Sequence, residues 1–156
     1  MPTTATKEKA LSVFRNHDNL IRLDPDLQHY EAAPAQPSDS EKTKRYNITD
    51  VMHTLPRGLW DTSVSFSAEI TDIDDGVEWT VRAPLGLVQK SVWTVEAAGE
   101  KDQGEEEEAL DGRWVLVEDV NIHCSRLLVG TVKGKCEENW KGVHERWVQK
   151  LNEIQD

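Results

Sequence analysis

The chain is poor in reactive groups. Its 156 residues hold two cysteines, Cys124 and Cys136. Two thiols do not make a disulfide framework, and free thiols fit a reducing compartment, so a cytoplasmic location is expected. Their spacing is not that of a zinc site. The five histidines, at 17, 29, 53, 123 and 144, form no H-E-x-x-H pattern. There is no glycine-rich phosphate loop and no G-x-S-x-G elbow. Metal- and nucleotide-dependent chemistry is therefore not expected, and neither a metal nor a cofactor is assigned. Cys124 reads as a small buried apolar residue rather than a nucleophile.

Positive charge is scarce too. Lys and Arg number 18 against 29 Asp and Glu, a net charge of −11. A nucleic-acid partner needs a basic face, and docking on an anionic membrane needs the same, so neither is expected. No apolar run approaches the 18 or so residues of a membrane span. The opening "MPTTATKEKALSVF" places charges where a secretion signal has an apolar core, so no signal peptide is expected. No internal repeat is visible.

What is present is a sequence of clear periodic patterns, long enough for one domain, 1–156, with a single core. Thr6 can cap a helix that carries Ala10, Leu11 and Phe14 on one side, with Leu20 and Ile21 continuing that side after a break at 16–18. "DPD" at 24–26 ends this helical region. Residues 27–32 read as a strand, 33–44 as a surface loop, and 45–53 as a strand. Residues 60–73 alternate most clearly: Val64, Phe66, Ala68 and Ile70 on one face, serines, Glu69 and Thr71 on the other. "DDG" at 74–76 supplies a hairpin turn in which Gly76 is free to take positive φ. Two further strands flank "APLG". The acidic stretch 99–112 reads as a solvated, mobile surface loop. Residues 113–124 form the last strand, and Ser125 can cap a helix from 126 to about 152. Val129, Val132, Cys136, Trp140, Val143, Trp147 and Leu151 give that helix one apolar face along its length. Gly130 and Gly134 lie near that face and would allow close approach of a sheet or ligand.

Helices segregated from a run of hairpin strands indicate an α+β domain with an antiparallel sheet of about six strands curved around the C-terminal helix. This order resembles the helix-grip fold of the START-like superfamily, which includes polyketide cyclases and pollen-allergen-type carriers, and more closely an uncharacterised fungal family within it. The stretches that carry the resemblance are "HDNLIRLDPDL" at 17–27, "YNITDVMHTLP" at 46–56, "RAPLGLVQKSVWTV" at 82–95 and "LVEDVNIHCSRLL" at 116–128. They span most of the chain from residue 17, and the match is one of spacing and pattern. The resemblance implies a strand before the first helix. Here that strand is missing or degenerate, which leaves a sheet edge open and suggests a homodimer or an open cavity end.

The informative polar residues lie on inward-reading strand faces. Glu118 shares parity with Trp114, Leu116, Val120 and Ile122, so it faces inward unless a bulge at 118–119 turns it out; a buried carboxylate there can act as general acid or base. A salt bridge with Arg or Lys is the alternative role. Tyr46, Ile48, Asp50 and Met52 share a face; Tyr46 can donate to a ligand carbonyl or pack as a core aromatic. His17, beside Asp18, is either a turn residue or part of an acid–base pair. Glu118, Tyr46 and His17 are thus the catalytic candidates. Trp60, Phe66, Trp79, Gln89, Ser91, Trp93, Asp50 and Met52 are the candidate substrate-binding residues. Trp79 is expected nearer packed core and Trp93 nearer a ligand-facing wall. With the resemblance, these residues imply a cavity for a small hydrophobic molecule and a cofactor-free cyclase or isomerase, pericyclic steps included. Its substrate would be a polyketide or terpenoid intermediate of fungal natural-product biosynthesis. A non-catalytic lipid or small-molecule carrier is the alternative, and a filled-core interaction protein a third.

Overall fold

The computed structural model describes residues 6–53, 61–97, 108–109 and 114–154. Thr6 starts the first helix: its Oγ1 accepts the Lys9 amide at 3.3 Å, an N–H that also donates to the Thr6 carbonyl at 3.0 Å. Helix α1 spans Lys7–Arg15 and α2 His17–Ile21, with the break at Asn16. Ala10, Val13, Phe14, Leu20 and Ile21 are buried. Seven strands follow: β1 Leu27–Ala33, β2 Thr43–His53, β3 Asp61–Ile73, β4 Gly76–Ala83, β5 Leu87–Ala97, β6 Glu108–Ala109 and β7 Trp114–His123. The long helix α3, Val129–Glu153, closes the chain.

The strands make one sheet in the order β1-β2-β3-β4-β5-β7-β6, and neighbouring pairs are antiparallel. Six are long and β6 has two residues, so the expected α+β architecture with about six strands holds. Among the described residues no strand precedes α1. Among the described residues β6 pairs with the outer edge of β7, Glu108 opposite Leu116 and Ala109 opposite Val115. Glu108 and Ala109 are the described part of the acidic 99–112 segment, whose remainder lies outside the described residues, as does Trp60.

Directly paired residues share a face, so the register fixes which side chains meet. One row runs Ile70, Trp79, Ser91, Val120; another runs Val77, Trp93, Glu118. The inner face carries Ala68, Ile70, Val77, Trp93 and Val95, all buried. On the opposite face Arg45 grips Asp39 with two bonds of 2.7 Å and Glu69 with one of 2.6 Å. That bidentate pairing pins the segment between β1 and β2 to the sheet, and Arg45 holds the Asp39 carboxyl down at about 2. The segment is shorter than the expected 33–44, because Ala33, Thr43 and Lys44 are strand residues.

Three local expectations are corrected. Gly76 does not have positive φ; its need for glycine is close approach, since a Cβ there would sit 1.7 Å from the Trp93 carbonyl oxygen. The left-handed residues are instead Leu85 (φ 62) and Gly86 (φ 74), between β4 and β5. Ser125 does not cap α3: the N-cap is Leu128, with no side-chain hydrogen bond. Gly130 and Gly134 are exposed, and a Cβ at either would meet nothing within 4 Å, so they permit no close approach.

The apolar face of α3 divides in two. Its C-terminal half is packed: His144, Trp147 and Leu151 are the helix's buried residues. Trp147 lies 5.2 Å from Phe14 between ring centres, and Phe14 meets Trp93 edge-on at 6.1 Å. This cluster joins α1, β5 and α3. The N-terminal half has no equivalent anchor, and Val129 is 48% exposed. Trp147→Ala removes the fully buried ring at the centre of the cluster and is expected to cost about 3–5 kcal/mol in urea unfolding. A loss below about 1 kcal/mol, typical of a surface change, would show that α3 is anchored elsewhere.

Candidate functional site

Anchored at one end, α3 stands over the inner sheet face and leaves a cavity of about 370 Å³. The sheet side is lined by Val64, Phe66, Trp79, Val81, Gln89, Ser91, Trp93 and Glu118. The helix side is lined by Val132, Lys135, Cys136, Asn139, Trp140 and Val143, and one end by Asp24, Asp26 and Asp50. The volume suits a small molecule, and a mainly apolar wall with few polar groups is the usual composition of a binding cavity.

Glu118 reaches the cavity because β5 and β7 pair without a bulge from Val88↔His123 to Ala97↔Trp114. Its Oε2 lies 2.9 Å from His144 Nε2, which donates to it in the tautomer that protonates Nε2. The His144 ring also sits edge-on to Trp93 at 5.2 Å and to Trp140 at 5.6 Å. Glu118 thus faces inward, with no bulge to turn it out, and its partner is a histidine instead of the Arg or Lys of the expected salt bridge. Cys136 lines the cavity nearby, and burial pushes its thiol up, reinforced by the Glu118 charge, so it is a poor nucleophile.

His17 and Tyr46 are brought to each other, not to the cavity. His17 Nδ1 lies 3.0 Å from the Tyr46 hydroxyl and Nε2 lies 3.2 Å from Asp72 Oδ1. Neither residue lines the cavity. The two are therefore a buried polar tie from α2 to β2 and β3, and burial pushes the Tyr46 hydroxyl up. Asp18 is engaged separately, accepting from Tyr30 and from Arg22.

Of the candidate binding residues, Phe66, Trp79, Gln89, Ser91, Trp93 and Asp50 line the cavity. Gln89 donates to the Ser91 hydroxyl at 3.2 Å. Met52 lies opposite Thr62 in the register, and its side chain is outside the described part. The roles expected of the two tryptophans are exchanged. Trp93 is 5% exposed and packed against Phe14 and His144, whereas Trp79 is only partly buried. Both touch the cavity, but Trp93 also belongs to the anchor of α3.

Four residues that matter here were not singled out from the sequence. His144 falls between Trp140 and Trp147 at helical spacing, so the periodic stripe itself pointed to it. Asp24 and Asp26 read as the end of the helical region, and Lys135 lies off the apolar stripe of α3. In the fold Lys135 Nζ lies 3.1 Å from Asp26 Oδ2, and Asp24 Oδ1 accepts the Asp26 amide at 2.8 Å. Asp50 joins them from β2. Burial, then the negative charge of Asp24, pushes the Asp50 carboxyl up to about 7. Burial likewise raises Asp24. Among the described residues no group of three or more His, Cys, Asp or Glu is placed to hold a metal ion. No helix among them is long and apolar enough to cross a membrane.

Similarity to known proteins bears on the fold and the family. Residues 1–153 match the family described as "Domain of unknown function (DUF7053)". No curated protein matches the chain. The crystal structure of TTHA0849 from Thermus thermophilus is similar, with a TM-score of 0.61 at 13% identity, covering 100% of this chain and 94% of that one. At that identity the likeness bears on fold alone, and it agrees with a helix-grip-like arrangement of sheet and C-terminal helix.

The raised Asp50 carboxyl makes stability fall with rising pH. A carboxyl whose folded pKa exceeds its unfolded value binds more protons when folded, so stability is lost between the unfolded value of 3.8 and about 7, then levels. Asp50→Asn mimics the protonated form. It is expected to match the parent at pH 4 and exceed it at pH 8 by on the order of a few kcal/mol in urea unfolding. A variant less stable than the parent at pH 8 would contradict this reading of Asp50.

Proposed function

This chain belongs to the DUF7053 family, and we propose that it binds a small, mainly apolar molecule between the sheet and α3. The observation that carries this is the cavity itself: about 370 Å³, walled by Phe66, Trp79, Trp93 and Trp140, with its polar groups kept to a few positions. The START-like resemblance supports the same reading, since that fold is associated with cavities for hydrophobic ligands. Polyketide or terpenoid intermediates of fungal natural-product biosynthesis are within the size and polarity the cavity accepts.

A second reading is favoured by one observation, the Glu118–His144 pair at 2.9 Å with Glu118 on the cavity wall. Glu118 would move a proton on the bound molecule, with His144 holding it in position, in a cyclisation or isomerisation without cofactor. Of the catalytic candidates it alone touches the space a substrate would fill. The polar groups of the wall are spread over separate elements: Asp24 and Asp26 before β1, Asp50 on β2, Gln89 and Ser91 on β5, Glu118 on β7 and Lys135 on α3. That separation favours binding over single-centre catalysis as the first reading.

Native mass spectrometry of freshly purified protein is expected to show a retained small molecule, or a library of apolar compounds to raise the melting temperature. Val81→Trp, which fills the cavity from β4, should abolish both. Binding that survives this substitution would place the ligand elsewhere. Once a substrate is in hand, Glu118→Gln is expected to lower kcat by about 10²–10⁴ with little change in affinity if Glu118 transfers a proton. Unchanged turnover would leave the protein a carrier.

A further inference from the structure

The cavity wall is unbalanced in charge. Asp24, Asp26, Asp50 and Glu118 line it against one lysine, Lys135. Lys135 is engaged by Asp26 and Glu118 by His144. Arg146, on α3, acts on Asp24 from outside the wall. Asp50 is left without a cation of its own at close range. Its Oδ1 is buried and receives no N–H from the described residues; its neighbour is the Asp24 carboxyl, with which Asp50 shares a hydrogen bond only while one of the two acids keeps its proton. A buried carboxylate oxygen with no donor is costly, and a second carboxylate beside it adds repulsion.

A bound molecule can relieve both costs only if it brings a donor and a positive charge together. A hydroxyl would supply the donor alone. A carboxylate would add to the repulsion. We propose that the cavity takes an amine-bearing apolar molecule, its ammonium group at Asp50 and its apolar body between the sheet and α3. Binding then turns the orphaned Oδ1 into the acceptor of a charge-assisted hydrogen bond. The groups that face Asp50 and set its ionisation are Asp24 and Asp26 from the turn before β1 and Lys135 from α3, with Arg146 acting through Asp24. This inference rests on the cavity being a binding site, as proposed above.

The test is isothermal titration of the full chain with three probes that share one body: 4-phenylbutylamine, 4-phenylbutanol and 4-phenylbutanoate. At pH 8 the amine is expected to bind about tenfold or more tighter than the alcohol, the gain typical of a charged hydrogen bond, and the carboxylate weakest. Asp50→Asn should bring the amine to the level of the alcohol. Glu138→Gln makes the same change in net charge at an exposed position of α3 outside the cavity and should leave the preference intact. Should Asp50→Asn fail to fold, the parent protein still decides: the amine's advantage must grow from pH 5.5 to pH 8.5 as Asp50 ionises. Equal binding of all three probes would overturn the charge inference and leave the cavity a binding site. A carboxylate that binds tightest, a preference that survives Asp50→Asn, or a flat pH profile would overturn it as well. If none of the three binds, the binding reading falls with it.

Discussion

The contact between Phe14, Trp93 and Trp147 is what the rest of the structure depends on. It brings α1, β5 and α3 to one point, and the three rings are almost wholly removed from water. Burial of large aromatic surface is the strongest local driving force available to a chain this polar. Because the anchor lies in the C-terminal half of α3, the other half of the helix is free to stand off the sheet. The cavity follows from that asymmetry. Half-buried Val132, Cys136, Trp140 and Val143 then form a wall instead of a core.

The same anchor sets the chemistry at either end of the space. His144 is one turn before Trp147, so fixing the tryptophan brings the imidazole to Glu118. Farther along the helix, Lys135 meets Asp26 and forms the boundary of the carboxylate group that includes Asp50. One end therefore holds a paired acid and imidazole, and the other a carboxylate that burial and its neighbours keep partly protonated. A third polar set, Asp72–His17–Tyr46, is built the same way but closed off from the cavity. It secures α2 to the sheet, and its distance from the ligand space is why composition alone is a poor guide to which polar group acts.

The inward set was legible because the strand period is two: once Val64, Phe66, Ala68 and Ile70 are placed on one face, pairing carries that face through Trp79, Ser91, Trp93 and Glu118. What periodicity does not carry is depth along the strand. Trp79 and Trp93 share a face, yet only Trp93 falls under Phe14 and His144. Tyr46 and Asp50 are likewise four residues apart on one face of β2, and only Asp50 reaches the cavity. Gly76 shows the same limit at the backbone: the turn was legible, but its reason lies in the carbonyl of a residue on the next strand.

By itself the sequence determined the order of elements, the antiparallel α+β architecture, the alternation of faces along each strand and the apolar stripe of α3. These follow from local periodicity, which neighbouring residues set among themselves. The tertiary structure alone decided how far along α3 the helix touches the sheet, and hence which apolar residues become core and which become wall. It also decided that Asp24, Asp26 and Asp50 share one half-buried corner and that His144 meets Glu118. Those outcomes come from contacts between residues far apart in the chain, whose burial and mutual charge exist only once α3 has closed over the sheet.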